Sequence, residues 1–245
     1  MEKILLEVNN VKTSYGKFTV SNLSFHLKNK DILGLVGRSG AGKSTIVQTL
    51  IGLKKPVSGS ITSWVDDKKV PLKDLVGYSP QENSLYPFLT LEENIYTFAK
   101  LYNVKKKEVD EKIGPLLRRM DLQNARKKRI TKLSGGMQKR ADLAVALIHS
   151  PKIIILDEPF NGLDISLQCF IWEWLRDLSA EGRIIIVSSH MLSDIQKNCN
   201  QFGLCEGGYF YNTEQIAKTL RMGKEKSLEQ YLQKLFTRDL MSDAV

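Results

Sequence analysis

The 245-residue chain has only three cysteines, Cys169, Cys199 and Cys205, and no C-x-x-C pair. So sparse and odd a set excludes a disulfide framework and fits reduced thiols in a cytoplasmic compartment, acting as small buried hydrophobes. No apolar run approaches the ~20 residues that cross a bilayer. The runs at 153–156 and 184–187 are short and read instead as central parallel strands. The amino terminus shows no leader pattern, because Ile4-Leu5-Leu6 is cut off by Glu7. A transport role would therefore need its membrane path from another polypeptide. Internal repeats and low-complexity segments are missing too. Two basic runs, Lys105-Lys106-Lys107 and Arg126-Lys127-Lys128-Arg129, lack the interleaved aromatics of a single-strand nucleic-acid groove. The net charge of +9 is thus open to three readings: solvated helical faces, nucleic acid, or an anionic membrane surface.

What is present is a phosphate-binding loop. Gly37-Arg38-Ser39-Gly40-Ala41-Gly42-Lys43-Ser44 matches G-x-x-x-x-G-K-[ST] at every fixed position. A buried strand precedes it at 32–36 and a helix begins with Thr45. Glycines let backbone wrap phosphate oxygens, and the helix start adds N–H donors and a positive dipole end. Lys43 reaches the β- and γ-phosphates, and the Ser44 hydroxyl sits on Mg²⁺. Hydrophobic content of 42% and charged content of 26% suit one folded unit with lobes.

The pattern along the chain predicts an α/β fold. Residues 4–30 alternate as half-buried antiparallel strands, and 56–78 return to short strands with turns at Ser58-Gly59 and Asp66-Asp67. From Leu91 to about His149 the periodicity is helical, with Thr90 as cap and Glu92 and Glu93 in the first turn. Strand and helix then alternate, which implies a parallel sheet covered by helices. Asp157 ends an aliphatic strand, where an open sheet places ligand groups, with Glu158 beside it.

Downstream of the loop, Leu133-Ser134-Gly135-Gly136-Met137-Gln138 is followed by Ile153-Ile154-Ile155-Leu156-Asp157-Glu158-Pro159. This order resembles the ATP-binding cassette (ABC) family, the nucleotide-binding subunits of ABC transporters, from about Val8 to Gly208. The resemblance implies a P-loop NTPase core with a mainly parallel sheet, an N-terminal antiparallel β subdomain and an inserted helical subdomain. Residues 1–245 would form one ATPase domain. Its core would comprise 1–81 and 151–212, its helical subdomain 82–150, and a short helical extension 213–245.

The same resemblance implies ATP and Mg²⁺ as cofactors. Residues 37–45 would hold the phosphates, and Tyr15 would stack on adenine. Ser44, Gln81 and Asp157 would serve the metal. Glu158 would act as general base, Gln81 in the Q-loop would contact Mg²⁺ and water, and His190 would contact the γ-phosphate. His26 and His149 read as structural or surface residues. Ser134, Gly135 and Gly136 would complete the ATP site of a second cassette, head to tail, in a homodimer or heterodimer. Asn161-Gly162-Leu163-Asp164 resembles the D-loop at that interface, with Asn161 in place of the usual serine. Tyr86-Pro87-Phe88-Leu89-Thr90 would receive a membrane permease, placing the chain on the inner face of the membrane. The stretch 80–102 and the tail Ser227-Leu228-Glu229-Gln230-Tyr231-Leu232 look most like export cassettes, with no nucleic-acid partner expected. The alternatives are a soluble ABC ATPase acting on ribosomes or DNA, and a non-hydrolysing module. The intact Asp157, Glu158 and His190 argue against the latter.

Overall fold

The computed structural model describes residues 2–222. Alternating side chains build the first hairpin. Strands β1 (Ile4–Tyr15) and β2 (Phe18–Lys28) pair antiparallel up to Tyr15↔Phe18, across a turn at Gly16 and Lys17. β3 (Ile32–Val36) then leads through the glycine loop into α1 (Lys43–Leu50). β4 (Ser58–Val65) and β5 (Lys68–Lys69) widen the antiparallel wing on the far edge of β1. Asp66 and Asp67 close that hairpin at φ 49° and 60°, as a tight primed turn requires. Ser58 and Gly59, expected as a turn, instead open β4. Gly59 sits at φ 84°, where a Cβ would lie 2.4 Å from the Asn10 carbonyl oxygen. It faces the register shift between Asn9 and Lys12, so the glycine marks an irregularity of pairing and not a reversal.

β6 (Val76–Ser79) precedes the helical stretch, which divides into α2 (Leu91–Leu101), α3 (Lys106–Arg119) and α4 (Gly135–Leu147). Thr90 and Glu93 form a reciprocal capping box at the start of α2. Lys106 pairs with Asp110, and Arg126 with Glu92, so part of each basic run neutralises local carboxylates. His149 stacks on Tyr102 at 3.7 Å and bonds the Val76 carbonyl, in keeping with a structural histidine.

The chain continues through β7 (Ile153–Leu156), α5 (Ile165–Ala180), β8 (Ile184–Ser189), α6 (Leu192–Asn198), β9 (Gln201–Glu206), β10 (Tyr209–Asn212) and α7 (Thr213–Met222). The sheet runs in the order β5-β4-β1-β2-β10-β9-β3-β8-β7-β6. β9, β3, β8, β7 and β6 are parallel neighbours, while the β5-β4-β1-β2 wing is antiparallel. β10 joins the two, antiparallel to β9 and touching β2 at Tyr209↔Ser21.

The continuous aliphatic runs follow from burial on both faces. Leu33, Ile153, Ile155, Ile184 and Ile186 pack with α1 and the wing; Ile154, Leu156, Ile185 and Val187 pack under the helical stretch. Cys199 and Cys205 are buried, and burial pushes both thiols up to about 12, leaving them unreactive. Cys169, expected to be buried, is exposed. On α5 the inward face belongs to Ile171, Trp172, Leu175 and Leu178, and Cys169 falls off it. No helix among the described residues is long and apolar enough to cross a membrane. The tail motif 227–232 lies outside the described residues, as does the rest of the extension after Met222.

Candidate functional site

Parallel strands bring their carboxyl ends to one edge, and the residues just beyond them meet there. The loop after β3, Gln81 after β6, Glu158 after β7 and His190 after β8 all line one cavity of about 480 Å³. Its remaining wall includes Tyr15 and Phe18 from the β1–β2 turn and Asn161. The volume suits a nucleotide-sized ligand.

The loop is shaped by Gly42, the residue before α1, at φ 96°. A Cβ there would lie 2.4 Å from Val20 and 2.8 Å from Phe18. Ser39, Gly40, Gly42, Lys43, Ser44 and Thr45 face the cavity. Gly37 and Arg38 stand behind them and lend carbonyl oxygens to the Lys43 ammonium at 2.7 and 3.0 Å. Ala41 packs on the core beneath the wing.

Lys43, only 5% exposed, also pairs with Glu158 Oε1 at 3.1 Å. Glu158 Oε2 lies 3.0 Å from His190 Nδ1, so three side chains form a connected row. Glu158 holds φ 46°, a left-handed conformation that costs a side-chain-bearing residue about 1–3 kcal/mol. This twist turns Glu158 into the cavity while Asp157 stays buried underneath, outside the cavity wall. Ser188 binds both: its hydroxyl donates to Asp157 Oδ1 at 2.5 Å and accepts from the Glu158 N–H at 2.8 Å.

Tyr15 is 66% exposed, so its ring is not part of the core. The Lys54 ammonium lies 4.0 Å from its ring centroid. Ser44, Gln81 and Asp157 supply a hydroxyl, an amide and a carboxylate, the oxygen chemistry that Mg²⁺ takes.

Ser134, Gly135 and Gly136 do not reach this cavity. Ser134 caps α4, accepting from the Met137 N–H at 3.3 Å. Ser134 and Gly136 border a separate cleft with Arg140 and Asp164, and Gly135 is exposed beside it. Sequence reasoning missed Phe18 and Ser188. Phe18 was readable as the partner of Tyr15 across a two-residue turn. Ser188 carries no spacing signal, since its partners lie 30 and 31 residues away.

The family model described as ABC transporter matches residues 20–161. The chain is 37% identical over 211 residues to the Nod factor export ATP-binding protein I of Sinorhizobium fredii, covering 84% of this chain and 61% of that protein. It therefore spans less than two thirds of that relative's length. It is 35% identical over 208 residues to the linearmycin resistance ATP-binding protein LnrL of Bacillus subtilis, covering 83% of this chain and 67% of that protein. A solved ATP binding subunit of an ABC transporter superposes with TM-score 0.81 at 26% identity, covering 95% of this chain and 99% of that one. The chain belongs to the ABC transporter family.

Proposed function

We propose that this chain hydrolyses MgATP to drive export through a separate membrane subunit, acting in a head-to-tail pair of cassettes. The observation that carries the reading is the Lys43–Glu158–His190 row inside the loop cavity. Lys43 and the N–H groups at the start of α1 hold the phosphates. The exposed ring of Tyr15, with Lys54 over it, stacks on the base. Glu158 takes a proton from the attacking water as its oxygen bonds to the γ-phosphorus, the bond from that phosphorus to the β–γ bridging oxygen breaks, ADP leaves, and His190 contacts the γ-phosphate. Ser44 and Gln81 on the cavity wall would hold Mg²⁺, with Asp157 behind them serving it through a water, and the ion would supply positive charge to the phosphate oxygens.

The second cassette contributes its own Ser134–Gly136 helix start to the γ-phosphate side. Tyr86 and Phe88 are 47% and 77% exposed on one loop and offer an apolar landing for the membrane subunit. Residues 1–81 and 151–212 form the working core and 82–150 the lobe that meets the permease on the inner membrane face. Relatives named for Nod factor export and linearmycin resistance support export, and no relative described above favours a nucleic-acid role. The direct test is Lys43→Ala, with nucleotide affinity and phosphate release measured on both proteins. Weak binding and no turnover are expected; unchanged turnover would move catalysis to another site.

A further inference from the structure

Helix α4 carries a carboxylate that the reaction above does not use. Asp142 is 1% exposed. Its Oδ1 accepts from the Ser84 hydroxyl at 2.5 Å and the Ser84 N–H at 3.2 Å, and its Oδ2 accepts from the Ser79 hydroxyl. With these donors the buried carboxylate is satisfied. Lys139, one turn earlier, donates to the Pro80 carbonyl at 2.9 Å and to Ser79 Oγ at 3.3 Å. Burial holds its pKa below the usual lysine range, and the Asp142 and Asp157 charges oppose that shift. Gln138 accepts from the Asn83 side chain at 3.0 Å.

One face of α4 therefore grips residues 79, 80, 83 and 84. These are the two feet of an arch, and Gln81 stands near its crown, on the cavity wall. Apolar packing alone would let such an arch slide. Directed bonds from both feet to one buried acceptor fix its register, and a satisfied buried network rigidifies what it joins.

We propose that Asp142 is the positioning residue of Gln81, locking the arch onto α4 so that Gln81 moves with the helix that begins at Ser134. The assignment rests on Gln81 serving hydrolysis as proposed above. Displacing Gln81 leaves the phosphate loop intact, so the effect falls on turnover and not on nucleotide capture.

The test is steady-state MgATP hydrolysis by the full chain, comparing wild type with Gln81→Ala, Asp142→Ala, Asp142→Asn and the Gln81→Ala/Asp142→Ala double variant. Asp142→Ala should lower kcat about 10- to 100-fold, as a mispositioned group does, with KM nearly constant. Asp142→Asn keeps one acceptor oxygen and should recover part of the loss. In the double variant Asp142→Ala should add little to Gln81→Ala, because one effect acts through the other. Multiplying losses in the double variant would overturn the proposal. So would an impaired Gln81→Ala beside an unimpaired Asp142→Ala. Full turnover in Gln81→Ala alone would overturn the role of Gln81 itself, and the positioning with it. If Asp142→Ala fails to fold, Ser84→Ala removes one foot's hydroxyl while Ser79 still holds Asp142. It should show a several-fold loss confined to kcat; an unchanged kcat would overturn the proposal.

Discussion

The cavity at the strand ends and the cleft at the start of α4 are built on opposite plans. In the cavity, charge is paired inward: Lys43 is held by Glu158 and two loop carbonyls, and Glu158 by His190. Its groups can move a proton. In the cleft, Ser134 is exposed and closes its own helix, and Arg140 is engaged by Asp121 and the Met120 carbonyl. What that helix start offers a ligand is its N–H groups, a way to recognise an anion and not a way to transform one. In the proposed head-to-tail pair, the chemistry of one chain's cavity would be completed by the recognition surface of the other.

The largest expected effect probes the cavity side. Glu158→Gln should bind ATP but lose ~10²–10⁴-fold in hydrolysis, as expected for a missing general base. Gel filtration with MgATP should show an accumulated dimer. A monomer that hydrolyses normally would erase the contrast. Ser134→Arg probes the other side: turnover should fall about 10²-fold, near the loss of an anion-stabilising donor, while each chain still binds ATP. Titrating this variant with Lys43→Ala should restore activity in step with the mixed-dimer fraction. Full turnover of Ser134→Arg at every concentration would show that the cleft takes no part. Tyr15→Ala should weaken ATP affinity by about 1–3 kcal/mol, the worth of one stacked base, with kcat unchanged. Equal affinity in a nucleotide titration would take Tyr15 out of the cavity's function. The smallest effect is thermal. Thr90→Ala removes the cap of α2 and should cost about 0.5–2 kcal/mol of stability. ATP affinity should not move, since Thr90 does not line the cavity; a drop would mean that the two regions share one energetic unit.

The parts legible in the sequence obey short-range rules. The loop at 37–44 needs glycines at fixed spacing, Thr90 and Glu93 need a three-residue offset, and runs buried on both faces read as central strands. What stayed hidden joins residues far apart in the chain. Ser79 and Asp142 lie 63 positions apart, and Ser188 and Asp157 lie 31 apart. Gly59 misled for a different reason, because positive φ serves a pairing irregularity as well as a turn. Cys169 misled because helix phase, and not residue type, decides which side chains of α5 face inward.

The ion pair between Lys43 and Glu158 makes the carboxylate an internal rival of the nucleotide. Each phosphate that enters must take the ammonium away from an anion already there, and that anion waits beside it through the turnover. In the proposed cycle, once the γ-phosphate bond is broken and its group departs, Glu158 would reclaim Lys43 and help eject what remains. In the proposed mechanism, the residue assigned to start hydrolysis would therefore also work against overstaying products. Neutralising it should then lengthen nucleotide dwell time twice over, by stopping the chemistry and by silencing the competitor.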